Sequence, residues 1–217
     1  MQNTILQPNT PGQKNALESL DLTQEMFKEI GQRILLAHSQ ATANDATMAP
    51  GMYAYLAAVR GVRDVLHGNG WKASRQANIE LATNAQQKIS ILVSSGNKYI
   101  GREEGDPGNK NPKGRQTQKI IFENFRQLSL FPELEGKEHR DGENASTWFL
   151  FYRLDLKRAE MRMELSLPTQ FDFYELKVSG WMQRIILDSI EFDSVSIEIE
   201  PDFAPEVEFD IRRKAND

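Results

Sequence analysis

The sequence contains no cysteine among its 217 residues, which excludes disulfide bonds, thiolate zinc sites and cysteine nucleophiles. Its three histidines lie in separate predicted elements, and their spacing does not fit a metal site. No apolar run is long enough to cross a bilayer, and the first twenty residues lack a basic segment followed by an apolar one. We therefore expect a cytoplasmic protein with no cofactor, no bound metal and no membrane partner.

The sequence has fewer basic than acidic residues: 26 basic residues and 31 acidic ones give a net charge of -5. Such a balance disfavours a protein that binds nucleic acid over its whole surface. The hydrophobic content of 39% and the charged content of 26% are ordinary for a globular protein. The length suits one α+β domain, which we place at residues 16–217.

The N-terminal third is predicted to be helical from residue 16 to residue 70, after a flexible tail at 1–15 that has few large apolar side chains. The first helix ends near His38. Its apolar face comprises Leu22, Met26, Phe27, Ile30 and Ile34. The second helix ends before Gly68-Asn69-Gly70. Its apolar face comprises Met52, Tyr55, Leu56, Val59, Val62 and Leu66.

The remaining chain, from 86 to 213, is predicted to be mostly β, with a short helix or an extended arm at 118–128. A hairpin is expected to turn at Gly96-Asn97, and an irregular loop spans 102–117. Further on, alternation places one set of side chains inward, Met161, Met163, Leu165 and Leu167, and another set outward, Arg162, Glu164 and Ser166. The fold class is therefore α+β, with an N-terminal helical pair packed on a mostly antiparallel β-sheet.

One short stretch has the character of a binding peptide: Gln127, Leu128, Ser129, Leu130 and Phe131, followed by Pro132. At all five positions it resembles the peptide by which bacterial proteins dock on the β sliding clamp of the replicative polymerase. The resemblance implies that Leu130 and Phe131 enter one apolar cleft while Gln127 forms hydrogen bonds at its edge. Pro132 favours an extended conformation in the residue before it.

The same stretch also fits an ordinary piece of core. Ile120, Ile121, Phe125 and Leu128 suit an apolar helix face, with Leu130 and Phe131 lying under the sheet. Buried in that way, the peptide cannot bind a partner. The sequence leaves these two interpretations open, and the exposure of Phe131 separates them.

A local basic segment precedes the peptide. Between residues 109 and 119 there are four basic residues and no acidic one: Lys110, Lys113, Arg115 and Lys119. They are candidates for a weak contact with a nucleic-acid backbone, since lysine and arginine neutralise phosphates. A solvated loop without a ligand explains the same residues.

Two other functions have some support. Asp172, Glu175 and Lys177 resemble the acids and lysine that restriction-endonuclease-like nucleases place around magnesium, although a charged surface strand explains them equally well. The C-terminal region is rich in acids, which are typical of a solvated edge or of a phage- or plasmid-encoded inhibitor that imitates DNA. These acids are Asp188, Glu191, Asp193, Glu198, Glu200, Asp202, Glu206, Glu208 and Asp210.

The leading hypothesis is therefore a non-enzymatic adaptor that docks on the clamp through Gln127 to Phe131. It would act in DNA replication, in repair or in the conflict between mobile elements and their host. A magnesium-dependent nuclease and an acidic DNA mimic are the alternatives.

Overall fold

The computed structural model of the protein describes residues 4–128 and 146–192. None of the helices in these ranges has the length and apolar character that a membrane crossing requires. The elements in chain order are β1 (Thr4–Leu6), α1 (Pro11–Glu18), α2 (Gln24–Ser39), α3 (Ala49–Leu66), β2 (Trp71–Gln76), β3 (Ile79–Asn84), β4 (Ile89–Ser95), α4 (Arg115–Leu128), β5 (Ser146–Asp155), β6 (Glu160–Asp172), β7 (Lys177–Ile186) and β8 (Ile190–Glu191).

The described strands form one mixed sheet in the order β1-β7-β6-β5-β4-β3-β2, with the short β8 paired to β6. The α+β class is confirmed. The expectation of a mostly antiparallel sheet with only N-terminal helices is wrong, because β1 runs parallel to β7 and β4 runs parallel to β5. Parallel neighbours need a long crossover connection, commonly a helix. The connection from β4 to β5 contains α4, which lies inside the region predicted to be mostly β.

The first face of the sheet packs against the N-terminal helices. In α2 the predicted face is largely confirmed, since Phe27, Ile30 and Ile34 are fully buried. The predicted face of α3 is partly wrong, because Leu56 is 57% exposed. The helix instead buries small residues such as Gly61, where a Cβ atom would lie 3.6 Å from Ile30 Cγ2. Small side chains let two helices approach closely, and a search for large apolar residues does not register them.

The second face carries a separate apolar cluster beneath α4. Ile120 and Ile121 of α4 are each 2% exposed and belong to this cluster. Phe149 and Phe151 of β5 stack with their ring centroids 5.5 Å apart, and the ring of Trp181 meets Phe151 edge-on at 5.7 Å. The helix is therefore fixed to the sheet by its own apolar residues.

Residues 4–15 do not form the expected flexible tail. They form β1, which pairs with β7, and most of α1, which Thr10 caps by accepting a hydrogen bond from the Gln13 backbone N–H. The buried side chain of Gln13 donates to the Ile186 carbonyl oxygen at 2.7 Å. The order of this segment cannot be predicted from its few large apolar residues, because it depends partly on the pairing of β1 with β7 and on the hydrogen bond of Gln13.

The predicted hairpin at Gly96-Asn97 is also wrong. The Gly96 N–H donates to the Tyr152 carbonyl, and the Asn97 N–H donates to the Gly108 carbonyl, so the chain leaves the sheet after β4. A two-residue hairpin turn joins β2 and β3 instead, in a region that the sequence analysis left unassigned. Its two turn residues, Ala77 and Asn78, have φ angles of 48° and 68°.

Replacing Ala77 with asparagine should stabilise this turn. Alanine is disfavoured at positive φ, whereas asparagine tolerates it and is preferred in two-residue hairpins. We expect Ala77→Asn to raise the free energy of unfolding by about 0.5–1 kcal/mol, measured by urea denaturation. Ala73→Asn, the same change within β2, is the control and should give no gain. Equal gains in both variants would contradict the turn assignment.

Candidate functional site

The clamp-like peptide begins in the last turn of α4. The backbones of Gln127 and Leu128 are the final helical residues, whereas Ser129, Leu130 and Phe131 lie outside the described residues. The alternative core interpretation is supported only for Ile120 and Ile121, which are buried on the side of α4 that faces the sheet. The position of Phe131, which separates the two interpretations, lies beyond the described part of the chain.

Asn124 fixes α4 just before the peptide. It is 1% exposed, and its Nδ2 donates to the carbonyl oxygens of Thr147 at 2.8 Å and Pro168 at 3.2 Å. Its Oδ1 accepts from the Thr147 N–H at 2.7 Å. One side chain therefore joins α4 to both β5 and β6, three residues before Gln127. Sequence reasoning missed it, although its spacing from Ile120 and Ile121 places it on the same helix face.

The loop predicted at 102–117 ends at residue 114, because α4 begins at Arg115, and it is held against the sheet. Asn109 is fully buried, and its Oδ1 accepts from the Val178 N–H at 2.7 Å. The Lys110 N–H donates to the Ser95 carbonyl at 3.1 Å, and the Lys113 N–H donates to the Leu176 carbonyl at 2.7 Å. These backbone contacts set the direction in which the chain enters α4.

The four predicted basic residues fall into two pairs. Lys110 and Lys113 are half-buried in the loop, whereas Arg115 and Lys119 are exposed on α4, four residues apart and so on one side of the helix. Phe122 follows on the same side; it is 47% exposed and its ring centroid lies 6.3 Å from that of Phe173. The structure thus brings Arg115 and Lys119 together next to an exposed aromatic pair.

The three residues of the nuclease alternative form the turn between β6 and β7. Asp172 Oδ1 accepts from the backbone N–H groups of Tyr174 at 2.7 Å and Glu175 at 3.0 Å. These hydrogen bonds lower the pKa of the Asp172 carboxyl, and the bond from the Glu175 N–H has the largest effect. Lys177 pairs with Glu175 at the surface. The carboxylate of Asp172 therefore stabilises the turn, and within the described ranges no three acids or histidines are grouped as metal ligands.

Most of the acidic C-terminal residues lie beyond the described part of the chain. Asp188 and Glu191 are described and lie after β7 and in β8, respectively. The others are Asp193, Glu198, Glu200, Asp202, Glu206, Glu208 and Asp210, and they fall in the range 193–217.

A buried ionic network corrects the expectation that Arg162, Glu164 and Ser166 point outward to solvent. Glu164 is 0% and Arg184 1% exposed, and Arg184 Nη2 lies 2.6 Å from Glu164 Oε2. Glu164 also accepts from the Gly101 N–H and the Ser166 hydroxyl, both at 2.9 Å. The chain after β4 covers these residues. Alternation identifies the two sides of β6 correctly, but it does not show that both are covered.

The arrangement of α4 is the most specific candidate site, because it combines an exposed basic pair with the start of a recognisable peptide. No family model matches the chain, and neither the curated proteins nor the solved structures include one with significant similarity to it.

Proposed function

We propose that the protein is a non-enzymatic adaptor that docks on the bacterial β sliding clamp through Gln127, Leu128, Ser129, Leu130 and Phe131. The observation that carries the proposal is the agreement of all five residues with the clamp-binding pattern. Leu130 and Phe131 are the apolar anchors, and burial of each contributes roughly 1.5–3 kcal/mol. Gln127 supplies a donor and an acceptor that fix the register of the peptide.

The position of the peptide at the end of α4 supports this role. The helix is anchored by Ile120, Ile121 and Asn124, so the peptide starts from a fixed point on the sheet. Gln127 and Leu128 are the last two helical residues, and helix ends open at low cost. They can therefore adopt the extended conformation that a clamp-binding peptide needs.

The basic pair on α4 adds a weak contact with DNA. Arg115 lies twelve residues before Gln127 on the same helix, a separation of about 18 Å at 1.5 Å per residue. A protein held on DNA by the clamp needs little affinity of its own, because the attachment raises the effective concentration of the second contact. Arg115 and Lys119 are therefore accessory contacts, and Leu130 and Phe131 dominate the affinity.

Titration of the protein with purified clamp, followed by calorimetry, tests the proposal. We expect a micromolar dissociation constant that weakens at least about 100-fold when Leu130→Ala and Phe131→Ala are combined, since two anchors contribute roughly 3 kcal/mol or more. Phe122→Ala is the matched control, because it removes an exposed aromatic side chain from α4, outside the five-residue peptide.

The control should bind the clamp with the affinity of the unmodified protein. Circular dichroism should show that both variants remain folded, and a synthetic peptide spanning residues 125–133 should compete for the clamp. Unchanged clamp affinity in the folded double variant would contradict the proposal, and so would an absence of binding by the unmodified protein.

A further inference from the structure

A cavity of about 260 Å³ lies away from α4, between the chain after β4, the β5–β6 turn and the end of β7. Arg102, Arg158 and Arg162 line it together with Glu160 and Ser189. Sites for drug-sized ligands are usually about 300–1,000 Å³, so this cavity suits a smaller molecule. Its wall is dominated by guanidinium groups, which favour an anionic ligand.

The carboxylate that lines this cavity, that of Glu160, does not form hydrogen bonds with all three of its arginines. Glu160 Oε1 lies 3.2 Å from Arg162 Nε, but 3.9 Å from Arg158 Nη1 and 4.0 Å from Arg102 Nη2. The two longer separations exceed hydrogen-bond distance. The guanidinium groups of Arg102 and Arg158 therefore keep donors that Glu160 does not occupy.

Arg162 is the fixed element at the base of the cavity. Its side chain is 6% exposed, and Nη1 donates to the carbonyl oxygens of Ile100 at 2.8 Å and Lys98 at 3.1 Å. The pKa of this guanidinium is lowered from its ordinary value, mainly because the group is buried and also because the positive charge of Arg102 is close. Its Nε lies 3.2 Å from Glu160 Oε1, and its Nη2 lies 3.6 Å from Asp155 Oδ2. These contacts hold Arg162 in place, so it contributes a fixed positive charge at the base of the cavity.

The strand pairing adds a second source of unbalanced positive charge. Arg153 of β5 stands directly opposite Arg162 of β6, and like charges in such a pair repel each other. Among the residues that line the cavity, three arginines accompany one carboxylate, Glu160. Asp155 lies 3.6 Å from Arg162 Nη2 but, like Glu191, which pairs opposite Glu160, it does not line the cavity. The lining therefore carries more positive than negative charge, as a phosphate ligand requires.

We propose that this cavity binds the phosphate group of a small molecule, with Arg102 and Arg158 as its hydrogen-bonding ligands and Arg162 as a fixed positive charge beneath them. Guanidinium groups bind phosphate oxygens through paired, charge-assisted hydrogen bonds. The hydroxyl of Ser189 supplies a neutral donor at the rim. The size of the cavity favours inorganic phosphate or a phosphate monoester over a polymer.

Calorimetric titration of the full chain with inorganic phosphate and with adenosine 5′-monophosphate tests this site, with sodium chloride at equal ionic strength as the reference. Both phosphates should bind and raise the melting temperature, whereas chloride should not. Tighter binding of the monophosphate indicates an esterified ligand, and equal or weaker binding indicates free phosphate. Absence of a phosphate-specific effect would overturn the proposal.

The site is located with variants of the two accessible arginines. Arg102→Gln combined with Arg158→Gln should weaken phosphate binding at least about tenfold. Arg60→Gln is the control, because Arg60 is an 83% exposed arginine on α3 and should leave binding unchanged. Both side chains of the double variant are partly exposed, at 37% and 60%, so the fold should persist. Undiminished phosphate binding by the double variant would exclude this cavity.

Discussion

Replacement of Arg184 with methionine is expected to lower the free energy of unfolding by about 3–5 kcal/mol. The reason is that the carboxylate of Glu164, which is 0% exposed, then loses the guanidinium group that lies 2.6 Å away and stays buried as a charge. Arg184 also donates to the Arg102 carbonyl at 2.8 Å, so the chain after β4 loses a contact as well. For a chain of this size the melting temperature should fall by about 6–20 °C.

Two further variants distinguish a buried pair from a general effect of removing charge. Arg60→Met removes an exposed cation that lies 3.4 Å from Asp64, and it should cost less than about 1 kcal/mol. Glu164→Leu combined with Arg184→Met should be more stable than Arg184→Met alone, because no unpaired charge remains. Urea denaturation measures all three. A cost below about 1 kcal/mol for Arg184→Met would show that the pair is not buried as described.

Replacement of Asn124 with alanine is expected to destabilise the protein by about 2–4 kcal/mol and to loosen α4. The change removes three hydrogen bonds, so the Thr147 N–H and the Thr147 and Pro168 carbonyl oxygens lose the Asn124 partner in a buried place. Each such group costs about 1–3 kcal/mol, although relaxation recovers part of it.

Hydrogen exchange locates this effect. The amides of α4 should exchange faster in Asn124→Ala, whereas those of α2, on the other face of the sheet, should change less. Gln116→Ala is the control, because Gln116 is exposed in the first turn of α4 and its loss should change stability by no more than about 0.5 kcal/mol. Equal costs in the two variants would contradict the role of Asn124 as the anchor of α4.

The hydrophobic periodicity of the sequence predicted which side of an individual helix or strand is buried, because that depends on local sequence alone. The buried face of α2 and the inward row Met161, Met163, Leu165 and Leu167 follow directly from spacings of 3.6 and 2 residues. The parallel pairing of β4 with β5 could not be predicted in this way, because 50 residues, 96–145, lie between Ser95 and Ser146. Pairing between distant strands depends on the whole fold and leaves little trace in either strand.

Polar anchors account for most of the remaining differences. Three polar residues of types that usually lie at the surface are buried here, and each forms a hydrogen bond with a distant backbone group. They are Gln13, Asn109 and Asn124. In the candidate site, the basic pair and the peptide are readable from sequence because both depend on residue type. The position of the basic pair and of the first two peptide residues on one anchored helix cannot be predicted in this way, since it depends on contacts from Asn124 to β5 and β6.

The crossover between β4 and β5 limits how a partner can approach. Phe131 is three residues beyond the end of α4, and three extended residues reach at most about 11 Å. A peptide on a long terminal arm lets its protein tumble freely around the partner, whereas this one starts at the end of a fixed helix, and the chain is described again from Ser146, where β5 begins at the centre of the sheet. Under the proposed docking, a clamp that held Phe131 would therefore restrict the orientation of the whole domain on its surface.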